Sequence, residues 1–330
     1  MSLLEIKNLH TSFKAEGGIV QAVRGIDLRV EEGQAVGIVG ESGCGKSVSM
    51  MSIMRLLSEN ADVAADAISF NSVELTKKSN AYMKKIRGNE IGMIFQDSMT
   101  SLNPLLTIGD QLSEPFRIHQ GMRPMQAREK ALEMLRLVAL TNPEQRLKQY
   151  PHELSGGMRQ RVMIAIALSC KPRLLIADEP TTALDVTISA QILALIKQLQ
   201  QQLKTSIILI THDLGVVANT CSLIYVMYGG IIVEQGTIED IFRNASHPYT
   251  QGLIRCVPSS RSGDKKRLIP IVGTPPDLIK PPIGCPFTDR CERAMRVCRD
   301  FMPDQYTLSA THTVRCHLQH PYAKECSSHE

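Results

Sequence analysis

The sequence has no long hydrophobic run, and its charges are close to balanced. Among its 330 residues no apolar stretch approaches the ~18 residues that suggest a membrane-spanning helix. The first residues also lack the basic and then apolar layout of a signal peptide. The net charge is only +4, from 37 basic and 33 acidic residues, too weak and too scattered to favour nucleic acid as a partner. We therefore expect a cytoplasmic chain that serves a membrane only through a partner protein.

Cysteine is present but unevenly placed. Four of the nine cysteines lie far apart along the chain, at positions 44, 170, 221 and 256. In a cytoplasmic chain, a cluster of thiols favours metal binding over disulfides. The remaining five form such a cluster near the end of the sequence: Cys285, Cys291, Cys298, Cys316 and Cys326.

Residues 40–47 read G-x-x-x-x-G-K-S, the pattern of a phosphate-binding loop. It follows an apolar run at 35–39 that predicts a buried strand, and it precedes a segment at 49–54 that can be helical. The glycines let backbone N–H groups face a phosphate, and the helix N-terminus adds partial positive charge. Lys46 is expected to reach the β- and γ-phosphates, and Ser47 to offer its hydroxyl to Mg²⁺. The nucleotide-contacting residues predicted here are Gly40, Glu41, Ser42, Gly43, Cys44, Gly45, Lys46, Ser47 and Val48.

Hydrophobic periodicity predicts an α/β fold with a mostly parallel core sheet. Residues 3–39 alternate apolar and polar side chains, as antiparallel strands do. Residues 188–203 form one apolar helical face. Strands that alternate with helices favour a parallel sheet with right-handed crossovers. Buried strands are predicted at 91–96, 174–177 and 207–210.

The remaining pattern suggests how the chain is divided. Residues from about 97 to 170 have a helical pattern, which predicts an inserted helical subdomain. Residues 225–233 predict a hairpin with a Gly-Gly turn. After about residue 255 prolines and cysteines become more frequent and the periodicity fades. We therefore expect one domain over residues 1–255 and a small Cys-rich extension over residues 256–330.

A predicted buried strand ends in two carboxylates, Asp178 and Glu179. A strand that ends in this way places both carboxylates at the edge of the sheet where the phosphate loop is expected. Asp178 suits the Mg²⁺ shell, directly or through water, and Glu179 is placed to polarise an attacking water.

A second helix start offers another anion-binding site. Ser155, Gly156 and Gly157 precede an apolar helical run, and a serine with glycines at such a position can bind an anion. Two phosphate-binding helix starts in one chain can be used in two ways. The two can bind the same nucleotide together, or each can complete a nucleotide site with a second subunit.

In this order the motifs resemble those of ABC-transporter ATPases. The resemblance covers residues 1 to about 255 and includes Gln96, Ala183-Leu184-Asp185 and His212. It implies an ABC-type P-loop ATPase with a RecA-like, mostly parallel core sheet, an N-terminal antiparallel β subdomain and the inserted helical subdomain. It also implies that two ATP molecules, with Mg²⁺, are sandwiched between two such subunits.

The resemblance also implies roles for individual residues. Glu179 and His212 correspond to the catalytic carboxylate and the switch histidine, and Phe13 to the aromatic that stacks on adenine. Met158 departs from the glutamine common at that signature position, which suggests a particular subfamily and not a loss of activity. The implied Mg²⁺ contacts are Ser47, Gln96 and Asp178. Nucleotide contacts outside the phosphate loop are implied for Phe13, Gln96, Ser155, Gly156, Gly157 and Asp185.

Three segments point to a subfamily: residues 97–104, 156–165 and 247–253 resemble those of peptide and nickel uptake ATPases. This implies ATP-driven import of di- or oligopeptides, with nickel, glutathione or another small solute as alternative cargo. The implied partners are a paralogous ATPase in a heterodimer, two transmembrane permease subunits and an extracytoplasmic peptide-binding protein. The implied location is peripheral, on the cytoplasmic face of the cell membrane. A soluble ABC ATPase of translation or DNA repair is disfavoured, because there is one cassette and no long coiled-coil insertion.

The cysteine cluster has the spacing C-x5-C-x6-C-x17-C over Cys285, Cys291, Cys298 and Cys316. Four thiolates suit a [4Fe–4S] cluster or tetrahedral zinc, but the tight C-x₂₋₄-C pairs usual for structural zinc are missing. Because the resembled subfamily includes members with a [4Fe–4S] cluster in this region, we expect that cluster, with zinc as the alternative and Cys326 as a bystander. The thiols lie far in sequence from every nucleotide motif, so loss of the cluster is expected to spare most ATP affinity.

Overall fold

The structure is a computed structural model, and it describes residues 2–97, 101–182, 184–257 and 270–323. The chain forms two compact units. The helical unit, as we call it, contains residues 30–35 and 77–210. The sheet unit contains residues 2–29, 36–76 and, as far as they are described, 211–323.

The first half of the chain forms groups of strands that are separated by helices. Its elements are β1 (Ser2–Ala15), β2 (Gly18–Glu31), β3 (Ala35–Val39), α1 (Lys46–Met54), β4 (Ala61–Ala64), β5 (Ala67–Phe70), β6 (Val73–Glu74), α2 (Asn80–Ile86), β7 (Ile91–Ile94), α3 (Ile108–Gln120), α4 (Pro124–Leu137) and α5 (Pro143–Arg146).

The second half at first alternates helices and strands and then ends in short elements. They are α6 (Gly156–Leu168), β8 (Leu174–Asp178), α7 (Val186–Leu203), β9 (Ser206–Thr211), α8 (Leu214–Thr220), β10 (Leu223–Tyr228), β11 (Ile231–Thr237), α9 (Ile238–Asn244), α10 (Pro248–Arg255), α11 (Val297–Asp300), β12 (Tyr306–Thr307) and β13 (Thr313–Val314). Three-residue 3₁₀ turns occur at Pro151–Glu153, Thr288–Arg290 and His317–Gln319.

The helical unit contains three parallel strands and most of the helices. Strand β8 pairs in parallel with both β7 and β9, and every residue of β8 is buried. Such strands read as continuous apolar runs because both faces are covered. Helices α3, α4 and α6 contact one another, which places the predicted helical region mainly over residues 108–168. The predicted amphipathic helix is α7, whose buried residues are Ile192, Leu195, Ile196 and Leu199.

The sheet unit contains two sets of strands. In the first, β1 pairs in antiparallel fashion with β4 and β5, and the strand order is β2-β1-β5-β6. The predicted antiparallel N-terminal sheet is therefore confirmed. In the second set the order is β12-β13-β11-β10-β3, with β10 parallel to β3 and antiparallel to β11. Strand pairing is thus mixed: β7, β8 and β9 pair in parallel and so do β3 and β10, whereas β11, β13 and β12 add antiparallel pairs.

The predicted Gly-Gly hairpin joins β10 to β11. Gly229 has φ 54° and Gly230 has φ 83°. Positive φ at both central residues is the requirement of a type I′ turn, which matches the natural twist of a hairpin and favours glycine at both positions.

A separate Cys-rich extension is not confirmed. Residues Thr313–Val314 form β13, which pairs with β11 in the register Glu234↔Val314, and β12 pairs with β13. The backbone of Gln21 also donates to the carbonyl oxygen of Leu278, at 2.8 Å. An edge strand such as β11 has unpaired N–H and C=O groups, and β13 satisfies part of them. The described C-terminal residues therefore belong to the sheet unit.

A buried hydrogen-bonded contact fixes this attachment. The carboxylate of Glu234 lies 2.8 Å from Nε2 of His312, and both side chains are almost fully buried. Its oxygens also accept hydrogen bonds from the backbone N–H groups of Ser246, at 2.7 Å, and His247, at 3.1 Å. Glu234 thereby ties the C-terminal strands to the start of α10.

We expect Glu234→Ala to lower the free energy of unfolding by ~3 kcal/mol or more, because three partners lose their hydrogen-bond acceptor and each buried group left without one costs about 1–3 kcal/mol. Glu239→Ala is the control, since its pair with Arg243 is exposed and is expected to contribute only ~0.3–0.5 kcal/mol. Urea unfolding curves of both variants measure the difference. Equal midpoints for the two would contradict a stabilising role for Glu234.

Within the part of the chain that the structure describes, no helix is both long enough and apolar enough to cross a membrane.

Candidate functional site

The phosphate loop connects β3 to α1, as the sequence predicts. A Cβ atom on Gly40 would lie 2.1 Å from the carbonyl oxygen of Met227, and one on Gly45 would lie 2.3 Å from that of Ala22. Gly45 also has φ 100°. Both positions therefore need glycine, because the neighbouring backbone leaves no room for a side chain.

Lys46 is the first residue of α1, and only 5% of it is exposed. Its Nζ donates hydrogen bonds to the carbonyl oxygens of Gly40, at 2.8 Å, and Glu41, at 2.9 Å. The first turn of α1 has no acidic side chain, and its N-cap, Gly45, provides no side-chain acceptor. The loop thus presents a buried cation and a helix N-terminus, the two features that bind phosphate.

The other residues of the loop surround this centre. Cys44 is buried, and burial raises the pKa of its thiol above the usual range. Ser47 and Val48 are half-buried, whereas Ser42 and Gly43 are exposed.

Two side chains that the sequence does not predict hold Glu41. The Arg290 guanidinium forms hydrogen bonds with both carboxylate oxygens of Glu41, at 2.7 and 3.0 Å. The hydroxyl of Tyr249 accepts a hydrogen bond from the backbone N–H of Glu41, at 2.9 Å. No local signal indicates these contacts, since Arg290 and Glu41 are 249 positions apart.

The helical unit contains a group of polar side chains at the ends of two neighbouring strands. The register of β7 with β8 pairs Ile94 with Ala177, so Gln96 and Glu179 each lie two residues beyond this pair. Accordingly, Nε2 of Gln96 donates to Oε2 of Glu179 at 3.0 Å. Asp178 is 1% exposed at the end of β8.

Glu179 is held in an unusual backbone conformation. Its φ is 44°, in the left-handed region that few side chains adopt without cost. Oγ1 of Thr182, a third side chain not predicted from the sequence, donates to Oε2 of Glu179 at 2.9 Å. The nearness of Thr182 to the acidic pair is the signal that could have found it.

The two predicted residues at helix starts are N-caps. Oγ of Ser155 accepts from the N–H of Met158 at 3.4 Å, and Oδ1 of Asp185 accepts from the N–H of Ile188 at 2.8 Å. A Cβ atom on Gly157 would lie 2.8 Å from Cγ2 of Ile188, whereas one on Gly156 would meet nothing closer than 3.4 Å. Ser155 is exposed, so this helix start is accessible. Ala183 of the predicted Ala-Leu-Asp motif lies outside the described residues.

Two predicted residues lie elsewhere in the sheet unit. Phe13 is half-buried in β1, where it pairs with Ala61 of β4. His212 is exposed directly after β9. The sheet unit therefore contains Phe13, the phosphate loop and His212. The helical unit contains Gln96, Ser155, Gly156, Gly157, Asp178, Glu179 and Asp185.

The four predicted metal-binding cysteines lie around one small cavity: it is lined by Cys285, Cys291, Cys298 and Cys316, together with His247 and Phe287. Burial raises the pKa of Cys285 to about 11 and that of Cys316 to about 12, so both thiols hold their protons at neutral pH. Cys326 lies outside the described residues.

The geometry of this cavity does not support the predicted metal. No group of three or more His, Cys, Asp or Glu side chains among the described residues is arranged to hold a metal ion. Neither the [4Fe–4S] cluster nor the zinc alternative is therefore supported, because thiols that line one cavity do not by themselves converge on one point. The structure describes eight cysteines, and none of these eight forms a disulfide.

One atom beside the thiols lacks a partner. His247 is 1% exposed, and Nε2 of its ring has no hydrogen-bond partner among the described residues. Its Nδ1 accepts from the N–H of Tyr249 at 3.1 Å, which leaves the proton of a neutral ring on Nε2. Burial lowers the pKa of His247 to about 3, so the ring is neutral.

Comparison with known proteins agrees with these motifs. Residues 23–182 match the ABC transporter family, and residues 233–298 match the oligopeptide/dipeptide transporter C-terminal region. The chain is 53% identical over 318 residues to the dipeptide transport ATP-binding protein DppD of Bacillus subtilis, covering 96% of this chain and 95% of that protein. It is 50% identical over 322 residues to the oligopeptide transport ATP-binding protein OppD of the same organism, covering 97% and 90% respectively.

A solved structure shows the same fold. The dimeric ATP-binding cassette MJ0796, in a post-hydrolysis state bound to ADP and Pi, has a TM-score of 0.63 and 29% identity with this chain. The alignment covers 71% of this chain and 98% of that cassette. This chain therefore belongs to the ABC-transporter ATPases, in the group that has the oligopeptide/dipeptide transporter C-terminal region.

Proposed function

We propose that this chain is the ATP-binding and ATP-hydrolysing subunit that powers import of di- or oligopeptides across the cytoplasmic membrane. The observation that carries the proposal is the similarity, over nearly the full length of both proteins, to peptide-transport ATP-binding proteins. The match of residues 233–298 to the oligopeptide/dipeptide transporter C-terminal region supports the same cargo class. Nickel, glutathione or another small solute is the alternative cargo.

The proposed nucleotide site uses the phosphate loop for the triphosphate. Lys46 would contact the β- and γ-phosphates, and Phe13 would stack on adenine. Ser47, Gln96 and Asp178 are proposed to hold Mg²⁺, because a carboxylate, an amide and a hydroxyl are oxygen donors that suit this ion. When bound, Mg²⁺ neutralises charge that develops on the phosphates.

The proposed hydrolytic step depends on Glu179 and His212. Glu179 would accept a proton from the attacking water, while His212 would contact the γ-phosphate. Hydrogen bonds from Gln96 and Thr182 support this role, because they orient the Glu179 carboxylate before water arrives. The exposed helix start at 155–157, with Asp185, would complete the site of a second subunit.

The proposed assembly follows the family. A paralogous ATPase would form the heterodimer, and two transmembrane permease subunits and an extracytoplasmic peptide-binding protein would complete the importer. The chain would lie peripherally on the cytoplasmic face of the membrane. Residues 1–255 are proposed as the ATPase domain, with its helical subdomain at about 97–170, and residues 256–330 as the extension. Purification from native membranes is expected to recover a paralogous ATPase, and recovery of identical copies alone would overturn the heterodimer.

Uptake in cells tests the cargo. A strain that lacks this chain is expected to lose uptake of labelled di- and oligopeptides and to regain it with the wild-type protein. Lys7→Met, on an exposed side chain of β1, is expected to restore uptake fully, whereas Glu179→Gln is expected to fail. Unchanged peptide uptake, combined with lost nickel or glutathione uptake, would replace the proposed cargo.

We also propose that the four cysteines around the cavity bind a [4Fe–4S] cluster, with zinc as the alternative. The proposal follows from the chemistry of the donors and not from a site already arranged for metal: four thiols and the unpartnered Nε2 of His247 border one cavity. Binding would require the thiols to lose their protons and turn toward a common centre. A sulfur-rich cluster would give the Nε2–H of His247 an acceptor.

Anaerobically purified protein is expected to be brown, with broad absorbance near ~400 nm and about four irons per chain. Cys298→Ser is expected to lose this absorbance, and Cys170→Ser, in the helical unit, is expected to keep it. Colourless protein with one zinc per chain would establish the zinc alternative. Protein with neither metal after anaerobic reconstitution would refute both.

A further inference from the structure

Glu41, the residue after Gly40 in the phosphate loop, is held by a side chain from the cysteine segment, by which we mean residues 285–316 with the four clustered cysteines. The Arg290 guanidinium grips both carboxylate oxygens of Glu41, and this two-point geometry is the strongest form of an ion pair between these residue types. Arg290 is the last residue of the 3₁₀ turn Thr288–Arg290 and directly precedes Cys291.

Arg290 itself is tightly fixed. Its side chain is 6% exposed. Its nitrogens also donate to the carbonyl oxygens of Ile271 and Val272 and to the hydroxyl of Tyr228, each at 3.1 Å. The guanidinium carbon lies 5.7 Å from the centre of the Tyr228 ring. All of these contacts favour the charged form of Arg290 in one orientation.

The same residue of the loop is held a second time through its backbone. The hydroxyl of Tyr249, a fully buried residue of α10, accepts from the N–H of Glu41. The ring of Tyr249 packs against the rings of Tyr228 and Phe287, with 4.5 Å and 5.3 Å between the ring centres. Side chain and backbone of Glu41 are therefore both set by residues outside the loop.

We propose that Arg290 is a positioning residue for ATP binding, acting through Glu41. An unpaired carboxylate in the phosphate loop would repel the triphosphate, and Arg290 both neutralises this carboxylate and fixes where it lies. Because Lys46 donates to the carbonyl oxygen of Glu41, the position of Glu41 also bears on the lysine. This inference rests on the proposed nucleotide site and assigns Arg290 no contact with ATP.

The ion pair also changes what is expected of the cysteine segment. Distance in sequence alone predicts that loss of a metal there would spare ATP affinity. Arg290 lies between Cys285 and Cys291, and the backbone N–H of Cys291 donates to the carbonyl oxygen of Thr288 within the same turn. A change that loosens this turn is therefore expected to weaken ATP binding.

The test compares Arg290→Gln with Arg290→Lys, Glu41→Gln and the double variant Glu41→Gln/Arg290→Gln. The dissociation constant for ATP is measured by titration with a fluorescent ATP analogue in the full-length protein, and KM and kcat are measured for hydrolysis. Arg290→Gln is expected to raise Kd and KM about 10-fold, equivalent to about 1.4 kcal/mol, with kcat within about 2-fold of wild type. The Kd of Arg290→Lys is expected to lie between those of wild type and Arg290→Gln, since lysine keeps the charge and loses the two-point geometry.

The double variant separates positioning from general damage. If the carboxylate left unpaired is the cause, Glu41→Gln/Arg290→Gln is expected to bind ATP more tightly than Arg290→Gln alone. Arg296→Gln, on an exposed arginine of the same segment, is the matched control and is expected to match wild type. The midpoints of urea unfolding establish that each variant is folded. If Arg290→Gln does not fold, the ATP affinity of Arg290→Lys replaces it in the comparison.

The outcomes are distinct. ATP affinity of Arg290→Gln equal to that of wild type overturns the inference and leaves the nucleotide site intact. No additional affinity in the double variant also overturns it, because the loss would then be structural. Wild-type protein that fails to bind ATP would instead refute the proposed site itself.

Discussion

The Glu179→Gln protein is expected to bind ATP with wild-type affinity while its turnover falls by ~10²-fold or more. Glutamine retains the shape of the side chain and an oxygen that accepts the hydrogen bonds of Gln96 and Thr182. It removes the negative charge and the ability to accept a proton from water. The loss therefore falls on the chemical step and not on binding.

Single-turnover hydrolysis and equilibrium ATP binding are the two measurements needed. Glu32→Gln is the matched control, because Glu32 pairs with Arg173, which directly precedes β8 in the same unit and lies away from the carboxyl ends of β7 and β8. It is expected to hydrolyse ATP at the wild-type rate. Near-normal hydrolysis by Glu179→Gln would mean that another group activates the water.

The Lys46→Met protein is expected to lose ATP affinity by ~10²-fold or more. Two unit charges 4 Å apart attract by about 4 kcal/mol at an effective dielectric constant of 20, and part of this is offset by the desolvation of the lysine. Methionine fills much of the space of the buried lysine stem, so the loop is expected to keep its shape. The loss of ATP affinity is then caused mainly by the missing positive charge.

Titration with the fluorescent ATP analogue measures this loss, and hydrolysis is expected to fall with it. Lys7→Met removes an exposed lysine from the same unit and is expected to leave the affinity unchanged. Affinity within about 3-fold of wild type for Lys46→Met would remove the lysine from the phosphate-binding role.

Local sequence patterns predicted the strands and helices that carry the phosphate loop and the Gln96–Glu179 pair. The register of the parallel strands brings Gln96 beside Glu179, and both positions follow buried apolar runs that can be read from the sequence. The Gly-Gly hairpin was predictable for a similar reason, since its two residues alone satisfy the turn. Patterns of this kind act over a few residues and need no knowledge of distant partners.

The C-terminal residues behaved differently. Low periodicity predicted a separate extension, yet β13 pairs with β11, and His312 reaches the buried carboxylate of Glu234. Two-residue strands such as β12 and β13 carry almost no signal of their own. Their position is set by the open edge of β11, which exists only once the sheet has formed.

The amino-acid sequence by itself determined the family, the phosphate loop, the strand-ending acids and the presence of four clustered cysteines. Only the tertiary structure decided that the cysteines line one cavity and that Arg290 pairs with Glu41 across 249 positions. The physical reason is that motif chemistry depends on residue type and short spacing. An ion pair between distant residues depends on where packing places each chain segment, and no local pattern records it.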